Sequence, residues 1–419
     1  MILVARGCVM DSNLFQGTVD SRDARCQGGR PDPSPCSSTL RQEEPAFCPN
    51  RGCVLHYPPF PQGRGWYERW GVYETEVFGP VQRYRCKECG KTFSAQTFSV
   101  DYYSKRVVDY RVMERGLSEC MSEAGVGRLL GVSGKVVRNK VGRLARQAVW
   151  AHGRLCREVR VREGVAADGL ETWCRSQYFP GHVNWVVGES SQMVYLQEYV
   201  TLRRKGAMRE AQKRRREEVE RNWRADPQGL EASFERIGEE VARWIQGNGG
   251  IKVVLSTDEH PAYGRGLARV KDLEQLQSSG LFEHRPVSGK QARNRANPLF
   301  AVNYMDREVR KDVANHVRQT TRAARNVNDL MNRLALYRVM HNYRKPYRLR
   351  PDKRDTRYHG EVAGLARELI EAEVGESYYR KRRFFTHGVF PAEGWRTWTR
   401  MWGTPLGEGK VYVPRFILD

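Results

Sequence analysis

The stretch "VVLSTDEHPAY", residues 253–263, decides how this chain is read. Its β-branched apolar start reads as the core of a buried strand. The run stops on Asp258, Glu259 and His260, which a strand core does not carry without a use. A carboxylate at a strand tip suits binding or chemistry when other acids meet it there. Upstream, "EVRVREGVAADG" (158–169) is a second strand-like run, ending on Asp168. Between the two lie "HVNWVVGES" (182–190) and "MVYLQEYVTL" (193–202), both strand-like. A charged helical segment, 203–246, follows and is broken at "ADPQG" (225–229). "LFEHRPVSG" (281–289) is a fifth strand. Asp168 and Asp258 are therefore expected at one edge of one sheet.

The charge points to the partner. The 419 residues carry a formal net charge of +22 and a pI near 9.7, which favours a polyanion such as nucleic acid. No apolar run is long enough to span a membrane. The N-terminus lacks the pattern of a secretory signal. The cysteines are too sparse for a secreted disulfide scaffold, so a reducing cytoplasm is expected.

Four of the ten cysteines form two close pairs. "CPNRGC" (48–53) and "YRCKECGKTF" (84–93) give C-x4-C, 32 residues, then C-x2-C. Two such half-sites supply the four soft ligands of one tetrahedral, closed zinc site: Cys48, Cys53, Cys86 and Cys89. Gly90 suits the tight turn of a knuckle, and "CKECGKTFS" resembles the second knuckle of zinc ribbons. His56 lies near the first pair and is a possible substitute ligand.

"EAGVGRLLGVSGKVVRNKVGRLARQ" (123–147) has the pattern of a helix-turn-helix. Gly131 ends the first helix, Ser133 caps the second, and Val137, Val141 and Leu144 form one stripe. Lys135, Arg138, Lys140 and Arg143 lie largely outside that stripe, as a recognition helix in a major groove requires. An ordinary helical hairpin with a solvated basic face fits the same pattern. The arm "RRKGAMREAQKRRREEVERNWR" (203–224) is either a solvated helix, a DNA clamp or a dimer contact.

The order β-β-β-α-β, with acids after the first and fourth strands, resembles the ribonuclease H-like fold of the retroviral integrase superfamily. The stretch "NPLFAVNYMDREVRKDVANHVRQTTRAARNVNDLMNRLALYRVMHNYRKP" (297–346) sharpens this. With the ribbon and helix-turn-helix before it, it resembles DDE transposases of prokaryotic insertion sequences, especially the insertion-sequence-one type. The resemblance covers most of residues 45–347. It implies two Mg²⁺ (or Mn²⁺) ions held by Asp168, Asp258 and a third acid on the later helix. The family's glutamate would fall near Asn303, so Asp306, one turn on, is taken as the third acid, with Glu308 and Asp312 as alternatives. Arg307, Arg310, Lys311, Arg318 and Arg322 would grip phosphates. His260 would orient a carboxylate or touch the scissile phosphate, or lie on the surface.

The expected architecture is thus α+β and multidomain. A disordered leader (1–44) precedes a zinc ribbon (45–100) and a helix-turn-helix DNA-binding domain (101–155). A ribonuclease H-like α/β core (156–347) with a helical insertion (203–247) follows, then a basic C-terminal extension (348–419). The resemblance implies cleavage and strand transfer at the ends of a mobile element, as a homodimer or higher oligomer in a prokaryotic, nucleoid-associated setting. A DNA-binding regulator with a degenerate core, or a nuclease of the same fold, is the alternative.

Overall fold

The computed structural model describes residues 44–317, 322–348, 354–407 and 411–414. The leader up to residue 43 and Arg318 lie outside the described residues. The chain is α+β, with a small antiparallel sheet, a five-stranded mixed sheet and a largely helical remainder.

The first sheet is β1 (Tyr67–Thr75), β2 (Gly79–Cys86) and β3 (Thr92–Ser94), in that order. Its own core joins Trp66, Tyr67, Phe78, Tyr84 and Phe93 to the cysteines. Three helices follow: α1 (Tyr110–Ser118), α2 (Glu123–Leu129) and α3 (Gly134–Glu158). Between α2 and α3, Gly131 takes a positive φ of 65° and the Ser133 hydroxyl accepts the Val136 N–H at 3.3 Å. A Cβ at Gly127 would come within 2.6 Å of the Val132 carbonyl oxygen, so glycine lets the turn close on the first helix.

The large sheet is ordered β6-β5-β4-β7-β8. Strands β4 (Val165–Trp173), β5 (Pro180–Gly188) and β6 (Val194–Thr201) form an antiparallel series. Strand β7 (Val253–Asp258) pairs parallel with β4 on one side and with β8 (Phe282–Val287) on the other. Between β6 and β7 come α4 (Glu210–Asn222), which buries none of its residues, and α5 (Gly229–Gly247), which packs on β6. Helices α6 (Pro261–Leu267) and α7 (Lys271–Ser278) link β7 to β8. Helix α8 (Phe300–Asp312) lies on β4 and β5 through Val302, Met305 and Val309.

Helix α9 (Val327–Tyr343) is the central pillar. Fifteen of its seventeen residues are buried, the pattern of a helix enclosed on all sides. Its residues enter the cores on both faces of the large sheet, and α3 packs against it. Helix α3 runs on past the helix-turn-helix stretch to Glu158, and Ala148, Val149, Ala151 and Leu155 join a core reaching from Val100 to Trp398. The core therefore continues across the expected boundary at residue 155.

The C-terminal segment is more than a basic tail. Beyond the short pair β9 (Pro346–Arg348) and β10 (Asp355–Tyr358), it forms α10 (His359–Val362), α11 (Arg367–Val374), α12 (Glu376–Arg380) and α13 (Ala392–Thr399). Glu393 on α13 makes a 2.8 Å ion pair with Arg338 of α9, both fully buried. Among the described residues no helix is long and apolar enough to cross a membrane.

Candidate functional site

Strands β4 and β7 bring the first two acids together. Their last paired residues are Ala167 and Thr257, so Asp168 and Asp258 follow at the same level and point to the same face. Asp258 is the last residue of β7. Asp168 departs from expectation by lying inside β4, which continues to Trp173 because β5 pairs with it throughout.

The face they share is the one covered by α8. There the structure separates the three candidates for the third acid. Residues 306 and 310 lie one turn apart, whereas 308 and 312 point away from them. Glu308 is held by Lys345 and by Lys311 at 3.1 Å. Asp312 accepts the Tyr337 hydroxyl at 2.8 Å and lies 3.5 Å from both lysines. Asp306 instead lies near enough to Asp168 for their charges to interact, and its Oδ1 is enclosed without a well-formed hydrogen bond.

The electrostatics are those of clustered acids. Burial, and then the neighbouring Asp258, push the Asp168 carboxyl up to about 6 against the Gly169 N–H, the Tyr263 hydroxyl and Arg293. Burial, then Asp168, push Asp306 up to about 8, with Arg310 and the Trp185 N–H opposing. The three carboxylates stay apart: among the described residues only the four cysteines bring three or more ligand atoms within 4.8 Å of one another. Asp168 feels the charge of both Asp258 and Asp306, and carboxylates that share a site in this way are relieved by a hard divalent cation. Their oxygens are the donor type that such an ion takes, but the three are not drawn into one ligand cluster.

Several surrounding residues escaped the sequence reading. Tyr263 stacks on Phe234 at 3.8 Å and sets its hydroxyl 3.5 Å from Asp168 Oδ1. The His182 ring lies over Gly169, where a Cβ would be 1.7 Å from His182 Cε1. Its Nδ1 meets Asn184 Oδ1 at 2.7 Å, and the Asn184 amide donates to Ser233. The "DG" pair at 168–169 was the available signal for this close approach. Arg293, with Lys290 and Arg295, sits on an exposed loop after β8. His260 acts through its backbone N–H, which donates to Asp258 Oδ1 at 2.8 Å, while its ring caps α6.

The basic residues divide. Lys135 and Arg138 are exposed on α3. Lys140 is 1% exposed and pairs with buried Asp101. Arg143 donates to the carbonyls of Val100 and Tyr102 at 3.0 and 2.7 Å and stacks on the Tyr102 ring. These two tie α3 to the preceding loop and are not available to a groove. Arg307 is exposed over Tyr304, and Arg310 reaches the Glu171 carbonyl at 3.3 Å. Lys311 is taken up by Glu308 and Asp312, and Arg322 donates to the Cys120 carbonyl.

The four cysteines converge as their spacing predicts. Cys48 and Cys89 sulfurs are 3.6 Å apart, and those of Cys53 and Cys86 3.9 Å. Tetrahedral sulfurs about 2.3 Å from zinc would lie about 3.8 Å apart, so the set can hold one zinc ion. Burial raises Cys48 and pushes Cys53 up to about 11. At Cys89 burial is outweighed by the Lys91 N–H, Asn50 and the neighbouring thiols, and its thiol is lowered. His56 is no ligand: Nδ1 meets the Cys48 carbonyl at 2.8 Å and Nε2 meets Thr386 Oγ1 at 2.7 Å. Compared with known proteins, the chain matches no family model and no curated protein.

Proposed function

We propose that this chain is a DNA transposase of the DDE type, with aspartate in the third position. It would bind the ends of its own mobile element and cut and join strands at Asp168, Asp258 and Asp306. The observation that carries this is the register: two acids level on adjacent parallel strands, with an acid of a later helix close enough to feel the charge of Asp168. The chain order of three antiparallel strands, helix and parallel fourth strand is also the one that the resemblance to ribonuclease H-like enzymes implies.

The three carboxylates would hold Mg²⁺ or Mn²⁺. Bound there, divalent ions activate an attacking hydroxyl and stabilise the leaving oxygen of an in-line displacement. The chain's own residues have other tasks. Tyr263 and the His260 N–H steady Asp168 and Asp258. Arg310 and the loop carrying Arg293 place positive charge beside the acids, where a scissile phosphate needs neutralising. The basic arm 203–224 leaves the C-terminal end of β6 and offers its charge to the flanking duplex. The ribbon, with zinc in its four thiolates, and the exposed face of α3 would supply the contacts to the element's ends.

The test is cleavage and joining of duplexes carrying the DNA that flanks the gene, in Mg²⁺ or Mn²⁺. Nicks at defined ends and joined products, both lost in Asp168→Asn, are expected. Tight binding with no cleavage in either metal makes the chain a DNA-binding regulator instead.

A further inference from the structure

Beside the acids the Trp185 indole N–H and the Asp306 carboxyl come close enough for the indole to favour the carboxylate, yet without the geometry of a well-formed hydrogen bond. Trp185 of β5 is 1% exposed and is the cross-strand partner of Asp168. Direct partners share a face of the sheet, so the indole lies under α8, in the cluster that holds Met305 and Val309. Its Nε1–H has no hydrogen-bond partner, and neither has Asp306 Oδ1. The indole is near enough to lower the Asp306 carboxyl against burial and Asp168, which raise it. Other indoles, those of Trp66, Trp150 and Trp398, also lack partners. What distinguishes Trp185 is its place beside the acids, opposite Asp168 in the sheet and close enough to Asp306 to favour its carboxylate.

A buried donor and acceptor left unmade cost free energy that a small movement would recover. Asp306 is only part-buried, with its Oδ1 enclosed. We infer that Trp185 is a positioning residue for the third acid: its indole N–H would hold one Asp306 oxygen and so orient the carboxylate for a divalent cation held by the acids. Outer hydrogen bonds of this kind fix the orientation of a ligand and strengthen its hold on the metal. The inference rests on the reading of the three acids as metal ligands.

The experiment measures Mn²⁺ affinity by calorimetry on the full zinc-loaded chain, without DNA. Trp185→Phe removes the N–H and keeps an aromatic ring. A second variant replaces the indole by benzothiophene, which keeps the shape and puts sulfur where the N–H was. Both are expected to bind Mn²⁺ roughly 10- to 100-fold more weakly, with cleavage recovering at raised Mn²⁺. If Asp306→Asn loses Mn²⁺ while the benzothiophene variant binds like the parent, the role of Trp185 is overturned and the acid site stands. If Asp168→Asn and Asp306→Asn both bind Mn²⁺ like the parent, the acid site itself fails and the inference goes with it.

Discussion

Asp168 stands one residue past the last rung of the β4–β7 ladder, Ala167 opposite Thr257, and so lies level with Asp258. The two arrive there from opposite circumstances. Asp258 ends its strand, whereas Asp168 is held within a strand that runs on beside β5. A rigid sheet thus fixes both acids, while a helix packed across it supplies Asp306.

Asp168→Asn, Asp258→Asn and Asp306→Asn should each lower strand cleavage at least about a hundredfold, since each removes charge from the reacting site. Each side chain keeps its shape, so DNA binding should persist. Glu308→Gln and Asp312→Asn should cut nearly normally, because Lys311, Lys345 and Tyr337 occupy those acids. Cleavage assays beside binding assays decide it. A dead Glu308→Gln with an active Asp306→Asn would move the site to the other face of α8.

Without added divalent ions the acid site should cost stability at high pH. Asp306 has an ordinary value of 3.8 and sits at about 8 in the folded chain. Between those values the folded chain keeps a proton that the unfolded chain has lost. Its contribution is therefore neutral below about pH 4, grows unfavourable as pH rises to 8, and then levels. The slope is about 1.4 kcal/mol per pH unit crossed. Asp306→Asn should melt higher than the parent at pH 9, with the gap closing toward pH 5. Mg²⁺ should raise the parent's melting temperature at pH 9 more than the variant's. A gap that does not change with pH contradicts the buried, raised carboxyl.

Much of this was legible where the signal is local. The strand tip at Asp258, each of the two cysteine pairs and the Gly131–Ser133 turn depend on residues within a few positions of each other. What was hidden depends on distant partners. Lys140 reads as a basic surface residue until Asp101, thirty-nine positions earlier, is packed against it. Asp306 reads as the third acid with Glu308 as an alternative, and only Lys345 of a later segment shows Glu308 already paired. The segment after residue 354 reads as basic because its apolar residues are spaced irregularly. They become core only when α9 and α3 meet them, while Phe47 and Phe98 of the ribbon pack on Phe384.

The zinc site and the C-terminal segment should fail together. His56 links the first cysteine pair to Thr386, and His387 returns a ring nitrogen to the His56 carbonyl at 2.7 Å. Phe47 and Phe384 pack edge to face at the same place. Metal analysis should find about one zinc per chain. Cys86→Ser should release it, and limited proteolysis should then open both the ribbon and the segment near Phe384. Full zinc content in Cys86→Ser would rule out this ligand set.

The basic residues of α3 should separate into two classes. Lys140→Ala leaves Asp101 buried with only Tyr110 to bond it, and loss of one partner from a buried pair costs about 3–5 kcal/mol. That variant should melt several degrees lower and lose DNA binding only as it unfolds. Arg138 is exposed; its approaches to Glu123 at 2.9 Å and Asp329 at 3.7 Å are surface pairs that contribute little. Arg138→Ala and Lys135→Ala should therefore melt like the parent. If α3 enters a groove, each should weaken binding and make the slope of log affinity against log salt shallower, by about 0.9 for every phosphate left without its cation. Weakening confined to the element's own ends would mark a residue that reads a base, and equal weakening on random duplex one that holds a phosphate. An unchanged salt slope in both variants would leave α2 and α3 as an ordinary helical hairpin and move end recognition to the ribbon.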